Sequence, residues 1–146
     1  MNKRLLLDKV IARLEREFET LAKAAREAHA GATNSEVKQE GKYDTRAIEA
    51  SYLASGQSKR AAEIQSQIQK LQHLSIEDFK WVHVQKDSGE SYYFVVPFAG
   101  GFTLDQEGTQ IQVISTLSPL GTELLSRSAG DDFEFKNQRI FIENVK

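Results

Sequence analysis

Two long stretches with apolar residues at alternating steps of four and three constrain the fold more than any other feature. In the first stretch, 3–30, the repeating positions are Leu7, Ile11, Leu14, Phe18, Leu21, Ala25 and Ala28. In the second, 46–73, they are Ala47, Ala50, Ala54, Gln57, Ala61, Ile64, Ile68 and Leu71. A heptad seam of this kind is typical of a helix that packs along a partner helix.

The two stretches have equal lengths, roughly 42 Å each at 1.5 Å per residue, which favours an antiparallel hairpin. Gly31 is expected to end the first helix and Asp44 to cap the second. A capping-box pattern at Thr33–Glu36 is a competing start for the second helix. A dimeric coiled coil or two ordinary bundle helices remain open as alternatives.

Three acids at regular spacing, Glu36, Glu40 and Asp44, lie in the segment between the two stretches, about 31–45. The seam is built of alanine close to this segment, so the helix axes can approach closely there. A narrow hairpin with carboxylates at its tip is suited to delivering negative charge into a channel. In the alternative reading, Asp44 only caps a helix, and Glu36 and Glu40 are solvated charges beside Lys38 and Lys42.

A second module with a period of two begins at Phe79. Strands are predicted at 81–85, 91–96, 109–115, 132–135 and 139–143, with turns at 86–90 and 136–138. Ser118 and Pro119 are expected to open a short helix through Leu125. We therefore predict an α+β chain with a helical hairpin at 1–75 and an antiparallel β-sheet domain with one short helix at 76–146.

Composition excludes several classes of protein and site. The chain has no cysteine, which rules out disulfides and thiolate metal sites, and no apolar run reaches the ~18 residues that cross a bilayer. His29, His73 and His83 show no metal-ligand spacing. Residues 1–75 carry 13 basic and 10 acidic side chains, and residues 76–146 carry 6 and 11. The contrast indicates two modules, and a reducing cytoplasm is the expected compartment.

One segment of the sheet module resembles a known family. Residues 114–125 read Ile-Ser-Thr-Leu-Ser-Pro-Leu-Gly-Thr-Glu-Leu-Leu, and Ala129, Gly130 and Asp131 follow. This resembles the C-terminal signature of the bacterial Gre transcript-cleavage factors, in which a strand runs into Ser-Pro, a short helix and a Gly-Asp turn. A hairpin, an acidic tip and a C-terminal sheet also occur in the Gre order along nearly the whole chain.

The resemblance implies an FKBP-like C-terminal domain that docks on RNA polymerase near the rim of the secondary channel, and a coiled coil that enters the channel. It also implies that tip carboxylates complete the oxygen shell of a weakly held Mg²⁺ shared with the polymerase. On this reading Glu36 and Glu40 are the working pair and Asp44 supports them. The polymerase itself then hydrolyses backtracked RNA.

Further expectations follow from the resemblance. The chain is not an enzyme by itself, holds no cofactor alone, and meets the RNA 3′ end only through the polymerase. We expect a monomer that binds neither membranes nor DNA directly.

The tip departs from the family pattern in one respect. Gre factors place an Asp and a Glu three residues apart, with a Tyr four residues after the Glu. Counting back from Tyr43 puts Glu36 at the Asp position and Gln39 at the Glu position, with Glu40 adjacent. Two alternatives therefore stay open: a channel binder that inhibits or modulates transcription without cleavage, and an FKBP-like or coiled-coil scaffold unrelated to polymerase.

Overall fold

The computed structural model describes the backbone of residues 2–40 and 56–146, and the side chains of residues 2–27 and 59–146. Helix α1 spans Lys3–Glu40 and helix α2 spans Gly56–His73. A 3₁₀ turn at Ile76–Asp78 leads into the sheet. The strands are β1 (Lys80–Lys86), β2 (Gly89–Val96), β3 (Phe102–Gln106), β4 (Thr109–Ser115), β5 (Asp132–Phe135) and β6 (Gln138–Val145), with helix α3 (Pro119–Ser126) between β4 and β5. The predicted α+β class is confirmed.

The chain forms two compact units. One contains Met1–Val10 and His73–Lys146, and the other contains Ile11–Gln72. The first turns of α1, which the sequence pattern groups with the helices, therefore belong to the sheet unit. Neither α1, α2 nor α3, over the residues described, is long and apolar enough to cross a bilayer.

Helix α1 is longer than the sequence predicts. It continues through Gly31 and through Thr33–Glu36 to Glu40. The prediction that Gly31 ends the helix is therefore wrong, and so is the competing helix start at Thr33. A single glycine costs only about 1 kcal/mol in a helix interior, and alanines on both sides of Gly31 favour the helix most strongly. The expected start of the second helix at residue 46 lies outside the described residues.

The sheet is mixed, in the order β3-β4-β2-β1-β6-β5. Strands β2 and β4 are parallel, with Phe94 opposite Val113, whereas the other neighbours are antiparallel. The prediction of a wholly antiparallel sheet is therefore wrong. The difference arises from strand β3, which the sequence analysis does not predict. Because β3 reverses the chain between β2 and β4, β4 returns in the direction of β2 and inserts beside it.

The other predicted strands are confirmed within two residues of their ends. Strands β5 and β6 are joined by Lys136 and Asn137, whose φ angles are 51° and 63°. Two consecutive residues with positive φ match the right-handed twist of a tight hairpin, and asparagine tolerates that conformation well. Strands β1 and β2 form the other predicted hairpin, with Trp81 opposite Phe94.

One face of the sheet forms a buried core with helix α3. Its buried residues are Val82, Val84, Tyr93, Val95, Leu124, Phe133, Ile140 and Ile142. They come from β1, β2, β5, β6 and α3, and the strand members alternate with residues that point to the other face. Fully burying each aliphatic side chain contributes roughly 1.5–3 kcal/mol. The burial on this face therefore stabilises the unit.

The first turns of α1 cover half of the second face. Lys3 Nζ donates to the carbonyl of Phe79 at 3.2 Å, and Lys9 Nζ donates to the carbonyl of Asp105 at 2.6 Å. Between these two anchors Leu6 and Val10 are fully buried. The strand residues buried on this half are Trp81, Phe94, Leu104, Ile111 and Val113. The rest of the second face, on β1, β6 and β5, is left without a helical cover among the described residues.

Helix α3 approaches the end of β4 so closely that only glycine fits at one position. A Cβ on Gly121 would lie 1.8 Å from the backbone oxygen of Ser115. The backbone itself must move to admit any larger residue.

We predict that Gly121→Ala lowers the free energy of unfolding by about 3 kcal/mol or more, because it overpacks a contact between two backbone segments. Urea denaturation followed by Trp81 fluorescence measures the change. Gly101→Ala is the matched control, since Gly101 has φ of +83° but open space around it. Its cost should be about 1–2 kcal/mol, from backbone strain alone. Equal costs for the two variants would contradict the steric argument.

Candidate functional site

The acidic segment predicted from the sequence falls at the end of α1. Glu36 and Glu40 lie in the last residues of the helix, while Asp44 lies outside the described residues. Residues four apart in a helix sit on the same side, with Cβ atoms about 5–6 Å apart. The side chains themselves belong to the part of the chain not described.

The helical unit buries some of the large residues of the predicted seam. Leu14, Ile64 and Leu71 are at most 2% exposed, and Ile68 is 9% exposed. Phe18 and Leu21, further along α1, are only half-buried. Packing is thus tightest in the part of the seam near the start of α1 and the end of α2.

An ion pair joins α1 and α2 in the same unit. Arg60 Nη2 lies 3.4 Å from Glu17 Oε1, and Arg60 Nη1 lies 3.6 Å from Glu63 Oε2. All three side chains are between 41% and 52% exposed, so solvent screens the attraction. Such pairs contribute about 0–1 kcal/mol, and this one serves mainly to fix which residues face each other.

The segment that resembles the Gre signature forms a tightly bonded turn. The hydroxyl of Ser118 donates to the carbonyl of Ser115 at 2.7 Å and accepts from the N–H of Gly121 at 3.0 Å. Ser118 is thereby the N-cap of α3, with Pro119 at the first helical position, as predicted. The hydroxyl of Thr122 bonds back to the carbonyl of Thr116 at 2.9 Å. These bonds hold the turn in one conformation.

Leu117 projects from this turn into solvent. Its side chain is 82% exposed, the largest exposed fraction among the large apolar residues described. Next to it, the hydroxyl of Thr116 donates to the carbonyl of Pro97 at 3.1 Å, which ties the turn to the loop after β2. Leu125, on α3, is 50% exposed. The turn therefore presents one leucine to solvent.

Lys80 holds the other end of helix α3. Its Nζ donates to the carbonyls of Leu124, Leu125 and Arg127 at 2.8, 3.0 and 2.5 Å. Cations favour the carbonyl end of a helix because of its unpaired oxygens and dipole. Burial lowers the pKa of Lys80 below its usual range, and the carboxylate of Asp131 offsets part of that effect. The amine thus orders the region between α3 and β5.

His83 packs against an aromatic neighbour on the sheet. Its ring stacks on Tyr92 with centroids 4.5 Å apart and an interplanar angle of 11°. Nε2 lies 3.4 Å from Glu90 Oε1 without the geometry of a hydrogen bond. Burial raises the pKa of the Tyr92 phenol, and the nearby Glu90 carboxylate raises it further. Among the residues whose side chains are described, no group of His, Asp and Glu could hold a metal ion.

Sequence reasoning missed two features of this region. The solvent exposure of Leu117 has a sequence signal, because it directly precedes the Ser-Pro start of α3 and so falls in the turn. The role of Lys80 has no such signal, since its acceptors lie more than 40 residues away.

We predict that Lys80→Met lowers the free energy of unfolding by about 1–3 kcal/mol, because three carbonyls lose a charged donor. Thermal or urea denaturation of the sheet unit measures this. Lys136→Met is the control, since the Lys136 amine lies over the Phe135 ring at 5.6 Å on an exposed turn. The control should change stability by less than about 0.5 kcal/mol. A small effect of Lys80→Met would contradict the capping role.

Comparison of the chain with protein-family models, with curated proteins and with solved structures gives no match.

Proposed function

We propose that this protein is a cytoplasmic transcription elongation factor that binds RNA polymerase and places the acidic end of its helices in the secondary channel. One observation carries the proposal. Helix α1 begins in the sheet unit and remains helical to Glu36 and Glu40. Its 38 residues span about 57 Å at 1.5 Å per residue. A continuous helix of that length can carry two carboxylates into a deep, narrow site.

In this proposal α1 and α2 form an antiparallel coiled-coil hairpin within one chain. The pairing of Glu17 with Arg60 supports it, because this pairing brings α1 and α2 of one chain together. The burial of Leu14, Ile64 and Ile68 on both helices supports the same arrangement. A monomer is expected, since each helix already has its partner.

The sheet unit is proposed as an FKBP-like docking domain. Its support is the packing of one short helix, α3, on one face of the sheet, together with the Ser118-Pro119 turn that resembles the Gre signature. Leu117, presented by that turn, is the residue we assign to the polymerase contact.

The proposed chemistry belongs to the polymerase, and the protein contributes ligands to it. A Mg²⁺ ion shared with the polymerase supplies activation of water for phosphodiester hydrolysis. Glu36 and Glu40 provide the oxygen ligands that Mg²⁺ prefers, at a spacing of one helical turn that suits a shared ion. One of the two carboxylates also orients the attacking water. Asp44 is assigned a supporting role.

A channel binder without cleavage activity is the second candidate. The observation that favours it is Gln39, which occupies the position of the Glu in the Gre pattern. A neutral amide binds Mg²⁺ more weakly than a carboxylate does, so the tip would obstruct the channel and change transcription without promoting hydrolysis.

We predict that the wild-type protein shortens RNA in stalled bacterial elongation complexes, and that Glu36→Gln and Glu40→Gln each slow this by about 10-fold or more, since loss of a group that only orients a metal ligand already costs about 10- to 100-fold. The measurement is the rate of RNA shortening on sequencing gels at several Mg²⁺ concentrations. Because the variants lose a ligand, added Mg²⁺ should partly restore their rates.

Glu27→Gln is the matched control, an exposed carboxylate on the same helix that pairs with Lys23. It should leave cleavage unchanged, and all variants should bind polymerase as wild type does. If wild type binds polymerase and alters promoter output without shortening RNA, the second candidate is correct. If it does not bind polymerase at all, both candidates are rejected.

A further inference from the structure

The half of the second sheet face that α1 leaves uncovered forms a distinct surface, which we call the open half-face. Directly opposite residues in neighbouring strands share a face, and the pairs here are His83 with Tyr92, Gln85 with Phe141, Asp132 with Phe141, and Glu134 with Arg139. Glu90, opposite Gln85, completes the set. All of these residues belong to the sheet unit.

Two hairpin turns enclose a cavity at the edge of this surface. Gln138 Nε2 donates to the hydroxyl of Ser88 at 3.2 Å, and this bond links the β1–β2 turn to the β5–β6 hairpin. Between them lies an open cavity of about 440 Å³. Its lining residues are Asp87, Asp132, Phe133, Glu134, Asn137 and Arg139. The cavity is large enough for one long polar side chain.

The charges in this cavity are unbalanced. Arg139 forms a two-pronged pair with Asp132, with Nε 2.9 Å from both carboxylate oxygens. Asp87 and Glu134 lie close enough that their charges also raise the pKa of Arg139. Three carboxylates therefore line the cavity together with one guanidinium, and the nearby Lys136 amine lies over the Phe135 ring at 5.6 Å from its centroid. The cavity therefore carries an excess of negative charge, which one further cation would reduce.

Aromatic rings lie beside the acidic cavity on the same face. Phe141 is 39% exposed and stands between the acidic strand β5 and the Gln85 position of β1. The stacked pair of His83 and Tyr92 continues the surface across β1 and β2. Planar guanidinium groups pair with carboxylates through two hydrogen bonds and stack on aromatic faces, whereas ammonium groups do neither as well.

We propose that the open half-face is a docking surface for an arginine-bearing segment of another protein, with one arginine in the cavity beside Asp87 and Glu134. The partner's backbone lies along β6, and Phe141 packs against its apolar part. Single-stranded nucleic acid also stacks on aromatic rings, but the net negative charge of this surface opposes phosphate. The inference goes beyond the proposed function, because it uses none of residues 36–44 and assumes no polymerase.

The test is an NMR titration of the full-length ¹⁵N-labelled protein with a short acetylated peptide that carries two arginines separated by glycine. We expect shifts confined to the amides of Asp87, Tyr92, Phe141 and residues 132–139. The expected dissociation constant is below about 1 mM, which corresponds to about −4 kcal/mol. A lysine version should bind at least about 5-fold more weakly, because it lacks the planar fork.

The double variant Asp87→Asn/Glu134→Gln should weaken binding by about 10-fold or more, while urea denaturation shows its fold intact. Its control, Glu77→Gln/Glu107→Gln, removes the same charge from two exposed acids of the sheet unit outside this surface. The control should bind the arginine peptide as wild type does. Phe141→Ala should weaken binding by about 3-fold through loss of stacking.

Three results overturn the proposal. The first is equal weakening by the control double variant, which would mean attraction to net charge alone. The second is peptide-induced shifts spread over the whole sheet unit. The third is binding of an oligouridine at these residues without binding of the arginine peptide, which would make the surface a nucleic-acid site.

Discussion

Burial of the central strands on both faces is the constraint on which the sheet unit depends. Strand β1 directs Val82 and Val84 to the core beneath α3, and its Trp81, on the other face, is also buried. Strand β2 does the same with Tyr93 and Phe94. A sheet with two apolar faces needs two covers, and the chain provides α3 for one and the first turns of α1 for half of the other. The uncovered half therefore carries charged and aromatic side chains that tolerate water.

Helix α1 has two roles because it belongs to both units. Its first turns, with Leu6 and Val10 buried and Lys3 and Lys9 bonded to backbone carbonyls, complete the sheet unit. Its later turns carry Glu17, which forms an ion pair with Arg60 of α2. Since the helix does not stop at Gly31, the acids Glu36 and Glu40 are elements of a helix rather than of a loop. Their spacing of four then has a geometric meaning, which is placement on one side of the helix.

Most of the local structure could be predicted from the sequence. The alternation in 81–96 and 109–115, and the Ser118-Pro119 start of α3, are each set by residues within one or two turns of one another. The predictions that are wrong concern positions where a weak local preference is outweighed by interactions with other parts of the chain. Gly31 lowers helix propensity without ending a helix among alanines. Strand β3 is short and follows two glycines, so its alternation of apolar and polar residues gives only a weak signal. Without β3, the parallel pairing of β4 with β2 cannot be predicted.

By itself, the sequence determined the kinds of elements and the Ser118 cap of α3, because these depend on neighbouring residues. It also places Glu36, Glu40 and Asp44 in one acidic segment. The tertiary structure decided the order of the strands and the surface that α1 leaves open. Asp87 and Asp132 lie 45 positions apart in the chain. They meet around Arg139 only because β6 lies between β1 and β5 in the sheet. The order of strands in a sheet depends on which of all the possible strand pairings buries the core best. No local pattern encodes that competition.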